Sequence, residues 1–395
     1  MSLRLIIIGI DDSSSPRFSR EVLQIIEQGR IFSGGVRHRQ IVGELLPESY
    51  EWIDIIPPMS SLFECYRQYS EIVVFASGDP LFFGFAQTAQ RMLPDADIIT
   101  YPHFNSLQQL AHKISMPYQD MHAVSLTGRA WDRLDEALIC GQATIGILTD
   151  RREHTPQTIA RRMLDYGYDN YTMCIGELLG NEQEKVSELS LSEAVNYTAA
   201  YPNNIILRRH GVRERNFGID DHLFALLDGR GRMITKMPIR LATLSQLGLH
   251  GASCFWDIGF CTGSVSIEAK LQFAHLHIEA FEVREGCDEI IEQNMRRFGT
   301  PGINYTIGDF TQLNIDMLPP PDAVFIGGHG GKLDEIVAKI SPLLKPTAAV
   351  VFNSVSAESY DQFTSSAEKC GLRVVNKISM RVDEFNRITI IKAIK

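Results

Sequence analysis

The sequence predicts two successive α/β domains, and three observations predict it. Short apolar β-like runs alternate with amphipathic stretches up to about residue 208, and the alternation restarts after Met237. Between them lies a polar, Gly-containing and basic stretch without such periodicity. The 395 residues exceed what one core usually organises and suit two domains of roughly 100–200 residues each.

In the first series the predicted strands are Arg4–Gly9, Ile72–Ala76, Asp97–Tyr101, Ala123–Ser125, Thr144–Leu148, Asn170–Ile175 and Asn204–Leu207. Helices are predicted over Arg17–Gln28, Phe82–Arg91, Ser106–Ile114, Trp131–Cys140 and Thr155–Tyr166, several of them opening on Ser, Asp or Thr-Pro, which suits N-capping. The expected division is a first domain over 1–208, a basic linker over 209–232 and a second domain over 233–395. The second series opens with a helix over Pro238–Leu247 and continues with strands Cys254–Asp257, His277–Glu282, Asn304–Gly308, Ala323–Ile326 and Ala348–Phe352. Leu372–Met380 and Arg387–Ala393 are close enough to form an antiparallel hairpin that closes the sheet.

Composition narrows the function classes. Seven scattered cysteines without a C-x-x-C pair speak against a zinc site and a disulfide framework. A net charge of −10 disfavours sequence-independent nucleic-acid binding. No apolar run approaches the roughly 20 residues of a membrane span, and Leu3–Ile10 enters directly as a strand, so the expectation is a cytoplasmic protein without a membrane partner. The basic residues from Arg208 to Arg215, with Arg230, Arg232, Lys236 and Arg240, read either as a solvated linker or as a positive patch for an acidic ligand.

The chemistry concentrates at strand ends. Cys254–Asp257 runs into Ile258-Gly259-Phe260-Cys261-Thr262-Gly263, a glycine turn that opens a helix over Val265–Phe273. Glycines there permit a tight turn and a close approach of backbone to ligand. Glu282 ends the next strand, about 20 residues on, where a carboxylate accepts hydrogen bonds from ribose hydroxyls. Gly308-Asp309-Phe310 ends a third, offering a carboxylate to an adenine edge and a ring to its face. The G-x-G-x-x-G spacing of nicotinamide enzymes is missing, so this Rossmann-like turn points to S-adenosylmethionine. Gly327, Gly328, Gly330 and Gly331 after strand Ala323–Ile326 form a bare backbone wall suited to a large flat or anionic ligand. His329 within it and Asn353 are the candidate catalytic residues.

Met233–Lys236, Trp256–Ala269, Asp322–Gly331 and the Asn353 segment resemble the cobalamin-pathway methyltransferases that act on a precorrin and decarboxylate it. The resemblance implies a class I S-adenosylmethionine-dependent methyltransferase domain in which Thr235, Gly259 to Gly263, Glu282 and Phe310 contact the methyl donor. Gly34–His38, Ala76–Gly84, Val124–Arg129, Ile147–Asp150 and Gly176-Glu177 resemble the tetrapyrrole methylases of the class III fold. There the implied donor contacts are Gly78, Asp79, Leu81, Phe82, Ser106, Leu126 and Thr127, and Arg37 and His38 are candidates to hold substrate carboxylates. Together the halves are similar to a fused enzyme family that methylates carbons 5 and 15 of a precorrin and removes the ring C acetate carboxyl. One S-adenosylmethionine per domain, no metal and a homo-oligomer are implied. Two departures stand out: the family's G-x-G-P-G turn reads Gly9-Ile10-Asp11-Asp12-Ser13, and its P-G-x-S-S turn reads Pro102-His103-Phe104-Asn105-Ser106. Other readings remain: a catalytic C-terminal domain with the N-terminal one as a docking module, a non-enzymatic tetrapyrrole carrier, or a nicotinamide oxidoreductase.

Overall fold

The computed structural model describes residues 3–13, 16–228 and 233–395, so Arg230 and Arg232 of the basic stretch lie outside the described residues. The chain forms two compact units. One comprises Met1–Arg129, Ala143–Arg161 and Tyr171–His210; the other comprises Ala130–Gln142, Arg162–Asn170 and Gly211–Lys395. Two short segments of the N-terminal half thus belong to the second unit, which a single cut at residue 208 does not provide.

The first unit holds two five-stranded sheets. Strands β1 (Arg4–Ile10), β2 (Ile31–Gly34), β3 (Glu51–Asp54), β4 (Glu71–Ser77) and β5 (Asp97–Tyr101) pair in parallel in the order β3-β2-β4-β1-β5. The central pair β1 and β4 is buried on both faces, which is why Leu5–Ile8 and Ile72–Ala76 read as unbroken apolar runs. The second sheet orders β6 (His122–Ser125), β7 (Thr144–Leu148), β8 (Tyr171–Glu177), β9 (Lys185–Ser190) and β10 (Asn203–Arg209) as β6-β7-β10-β8-β9. Here β10 lies antiparallel between β7 and β8. The helix expected from Phe82 begins at Phe85, because Phe83 takes a positive φ of 49° and ends the preceding turn.

The second unit carries one seven-stranded sheet built from β11 (Cys254–Ile258), β12 (His277–Glu282), β13 (Ile303–Ile307), β14 (Ala323–Ile326), β15 (Ala349–Ser354), β16 (Arg373–Met380) and β17 (Ile388–Ile394). Its order is β13-β12-β11-β14-β15-β17-β16, with β17 alone reversed and so antiparallel to both β15 and β16. The expected hairpin therefore exists, with its second strand inserted beside β15. No helix among the described residues is long and apolar enough to cross a membrane.

Among the described residues, several cations of the basic stretch have partners within the chain. Arg208 pairs with Glu188, Arg213 donates to the carbonyls of Tyr166 (2.8 Å) and Arg297 (3.0 Å), and Arg215 donates to that of Ile139. Arg240 is fully buried. It meets Glu268, also fully buried, at 3.1 Å, Asp221 at 3.3 Å and the carbonyl of Thr235 at 2.8 Å. Glu268 in turn accepts the backbone N–H groups of Gly218 (2.9 Å) and Ile219 (3.1 Å). Arg213 and Arg215 are thus engaged by backbone carbonyls and Arg240 by carboxylates, while Arg208 sits with Glu188 at the surface; the Arg240 pair ties the segment carrying Thr235 to the helix Ser264–Gln272. Removing one partner of such a pair strands the other charge in the core. Glu268→Leu is expected to cost the second unit about 3–5 kcal/mol in urea unfolding, and the Arg240→Met, Glu268→Leu double variant markedly less. Equal losses in the two variants would contradict this account.

Candidate functional site

In the second unit, the carboxyl ends of β11, β12 and β14 meet through bare backbone. Gly259 has φ +80°, and a Cβ there would lie 2.4 Å from the backbone nitrogen of Gly328. Gly259 N donates to Phe281 O at 2.7 Å and Gly327 N to Ile258 O at 2.8 Å, lacing the three strand ends together. Gly327 has a structural reason of its own to be glycine, since a Cβ there would lie 2.9 Å from the Phe325 ring and 3.2 Å from Gly259 O, whereas at Gly328 it would make ordinary contact with Gly259 Cα at 3.7 Å. Gly330 and Gly331 take positive φ with open space beside them.

Glu282 closes one side. It is buried, and its Oε2 accepts Cys261 N–H at 2.9 Å while Oε1 accepts those of Val283 (2.9 Å) and Arg284 (3.1 Å). Cys261 reaches this carboxylate by adopting φ +50°. The Arg284 guanidinium covers both oxygens at 3.0 and 3.1 Å and is one-third exposed, so it has room to turn outward. A cleft of about 140 Å³ gathers Gly259, Glu282, Phe310, Gly328, His329 and Gly330 from the expected set. It does not gather Thr235, Phe260, Cys261, Thr262, Gly263, Gly327, Gly331 or Asn353 among its walls. Gly263 is instead required by the core, since a Cβ there would lie 2.6 Å from Ile291. Phe310 is engaged edge-on with Phe281 (4.9 Å) and Trp256 (6.3 Å), so it forms a wall of the cleft. Asn353 spends its amide on Thr243, giving and accepting hydrogen bonds at 3.0 and 3.1 Å.

His329 packs edge-on against Phe352, and its Nδ1 accepts Gly331 N–H at 3.3 Å. Burial lowers its pKa, so the ring is neutral with its proton on Nε2. Asp257 beneath the turn is fully buried and accepts Ser266 Oγ–H at 2.5 Å. Burial, with a smaller contribution from Glu282, pushes its pKa up to about 7. Cys261, Glu282 and Cys287 lie close enough for their ligand atoms to fall within 4.8 Å of one another. The carboxylate is engaged by three backbone N–H groups and the Arg284 guanidinium, and burial pushes the Cys287 thiol up to about 12.

The first unit has a larger cavity of about 450 Å³, within the ordinary range for a ligand pocket. It opens at the carboxyl ends of β1, β4, β7 and β8, where open α/β sheets bind ligands. Of the expected residues it collects Arg37, His38, Gly78, Phe82, Ser106 and Thr127, and leaves out Asp79, Leu81 and Leu126. Asp79 instead caps the turn by accepting Leu81 N–H at 2.9 Å, and Leu126 is buried. Gly9 approaches so closely that a Cβ would lie 2.0 Å from Gly78 O. Asp11 and Asp12, which stand at the third and fourth positions of the family turn in place of Gly and Pro, do line the cavity, but Asp12 meets Arg37 at 2.9 Å. His38 accepts Gly35 N–H on Nδ1 at 3.3 Å, and burial, assisted by Arg37, lowers its pKa to about 4. Neutral His38 therefore donates from Nε2 to Ser77 Oγ at 2.9 Å. Ser77, Thr149, Asn203 and Asn204 also line the cavity and were not singled out in the sequence.

Comparison with known proteins matches each half of the chain to a methyltransferase family. The family described as "Precorrin methyltransferase domain" matches residues 227–393, and "Tetrapyrrole (Corrin/Porphyrin) Methylases" matches residues 5–195. A precorrin-6Y C(5,15)-methyltransferase [decarboxylating] from Sinorhizobium sp is 30% identical over 90% of this chain and 85% of its own. The chain belongs to the precorrin-6Y C(5,15)-methyltransferase (decarboxylating) family. A cobalt-precorrin-6B C(15)-methyltransferase (decarboxylating) from Salmonella typhimurium is 35% identical over 35% of this chain and 70% of its own. A solved precorrin-6Y C5,15-methyltransferase structure from Geobacter metallireducens is 31% identical, covering 46% of this chain and 98% of its own at a TM-score of 0.42.

The buried carboxyl of Asp257 makes a pH prediction. Its proton is held more tightly in the folded chain than in the unfolded one, so its contribution falls as pH rises from about 4 to about 7. Asp257→Asn should therefore gain stability relative to wild type between pH 5 and pH 8, read as a widening difference in melting temperature. A difference that narrows over that interval would contradict the assignment.

Proposed function

We propose that this chain methylates a precorrin at carbons 5 and 15 and removes the ring C acetate carboxyl, in corrin ring biosynthesis, with one S-adenosylmethionine held by each unit. The observation that carries the reading is the presence of a strand-end cleft in both units of a chain that matches such an enzyme over nine-tenths of its length. Intact clefts in both units favour two working sites over a degenerate N-terminal module.

The residues present fit the methyl donor. In the second unit Glu282 offers a carboxylate to ribose hydroxyls once Arg284 turns outward, and Gly259 with Gly328 gives bare backbone to lie against. In the first unit Gly78, Phe82, Ser106 and Thr127 line the cavity. When bound, S-adenosylmethionine supplies an electrophilic methyl group. The protein's task is then mainly to hold the nucleophilic carbon of the macrocycle in line, a mode worth roughly 7–11 kcal/mol. Arg37, pinned by Asp12, keeps donors for a peripheral carboxylate, and Ser77 receives the His38 proton donor beside it. His329, neutral with Nε2–H free of its backbone contact, suits hydrogen bonding to an acceptor of the macrocycle better than releasing a proton. The C-terminal unit is assigned carbon 15 and decarboxylation, the N-terminal unit carbon 5.

Single-turnover mass spectrometry of precorrin-6Y with the full chain tests the assignment. Wild type should add two methyl groups and lose carbon dioxide. Glu282→Gln should slow decarboxylation and one methylation at least tenfold, and Ser106→Trp, which fills the N-terminal cavity, should remove only the other methylation. Loss of both methylations in either variant, with the fold retained by circular dichroism, would contradict two separate sites.

A further inference from the structure

Arg284 sits on the carboxylate that the ribose of the methyl donor would need. The two oxygens of Glu282 offer about four acceptor sites between them. Three backbone N–H groups, those of Cys261, Val283 and Arg284, take part of that capacity. The Arg284 Nη1 takes the rest, at 3.0 Å from one oxygen and 3.1 Å from the other. The backbone donors are held by the glycine turn and by the chain just beyond β12. The guanidinium is one-third exposed on a rotatable side chain, so it is the group that yields when ribose hydroxyls approach.

A guanidinium that leaves Glu282 stays at the wall of the same cleft, which it lines together with Val283, His329 and Gly330. It finds no second anion there. Among the described residues lining the cleft, the other carboxylate, Asp309, is already paired with Lys332 at 2.5 Å. A planar fork of N–H donors matches a carboxylate in a bidentate pair. Val283 beside it is exposed despite being apolar, which suits contact with the edge of a large ring.

We infer that Arg284 is a transferable clamp: the ribose of S-adenosylmethionine displaces it from Glu282, and it then grips a peripheral carboxylate of the precorrin. That carboxylate is one the reaction keeps, because a cation on the departing one would hold it in its ground state. Donor binding thereby completes the acceptor site, and by linkage the macrocycle tightens the donor by the same factor. The inference rests on the reading of Glu282 as the ribose acceptor and adds the residue that couples the two ligands.

Carbon dioxide release from precorrin-6Y by the full chain, the reaction assigned to the second unit, tests it. In wild type the KM for precorrin-6Y should fall at least about fivefold as S-adenosylmethionine is raised to saturation. In Arg284→Met that dependence should vanish, leaving the KM for precorrin-6Y about tenfold above wild type at saturating donor while kcat stays within about threefold. The KM for S-adenosylmethionine should stay level or fall, since the ribose meets no competitor. Arg284→Lys should keep the dependence with a smaller factor, because the charge remains and the fork does not. An Arg284→Met chain that retains the wild-type dependence would overturn the clamp. So would one whose KM for S-adenosylmethionine rises with a lowered melting temperature, which would make Arg284 a structural support for Glu282. Glu282→Gln with an unchanged KM for S-adenosylmethionine would instead overturn the ribose reading beneath it.

Discussion

The contact between Gly259 and Gly328 is the constraint on which the C-terminal site depends. Two backbones approach where a single Cβ would collide with Gly328 N at 2.4 Å. The approach brings the ends of β11 and β14 together, and Gly259 N–H reaches across to Phe281 on β12. With three strand ends fixed, Cys261 can adopt its left-handed conformation and aim its N–H at Glu282. Below this floor, the helix Ser264–Gln272 is buried along nearly its whole length, and Glu268 within it anchors Arg240. Ligand cleft, glycine turn and buried ion pair are therefore one mechanical unit: each holds the next in place.

The N-terminal unit reaches a comparable arrangement by different means. Gly9 passes over Gly78, and the cavity opens beyond that crossing. Its acidic turn is an altered version of a glycine-rich one, but Arg37 faces Asp12, so the added charge is matched locally. Burial raises the Asp12 pKa while Arg37 opposes that rise, the balance expected of a half-buried pair at a pocket rim. Neutral His38 completes the rim without adding repulsion between cations.

Much of the fold was legible because its signals are local. Unbroken apolar runs named the central parallel strands, and the glycine turn named the strand-to-helix junction with Glu282 at the end of the neighbouring strand. What stayed hidden depends on partners far apart in the sequence. Arg240 reads as one more basic residue until Glu268, inside the buried helix Ser264–Gln272, is seen facing it. Asn353 reads as a strand-end polar group until Thr243 claims its amide. Strands β2 and β3 have four residues each, too short for a period to declare itself, and β9 is an exposed edge.

A crystal structure of the full chain grown with S-adenosylhomocysteine would test the central claim most directly. One molecule is expected in each unit, one against Gly259 with its ribose at Glu282, the other in the cavity beside Gly78 and Ser106. Density confined to one unit, or a ligand seated away from these strand ends, would contradict it.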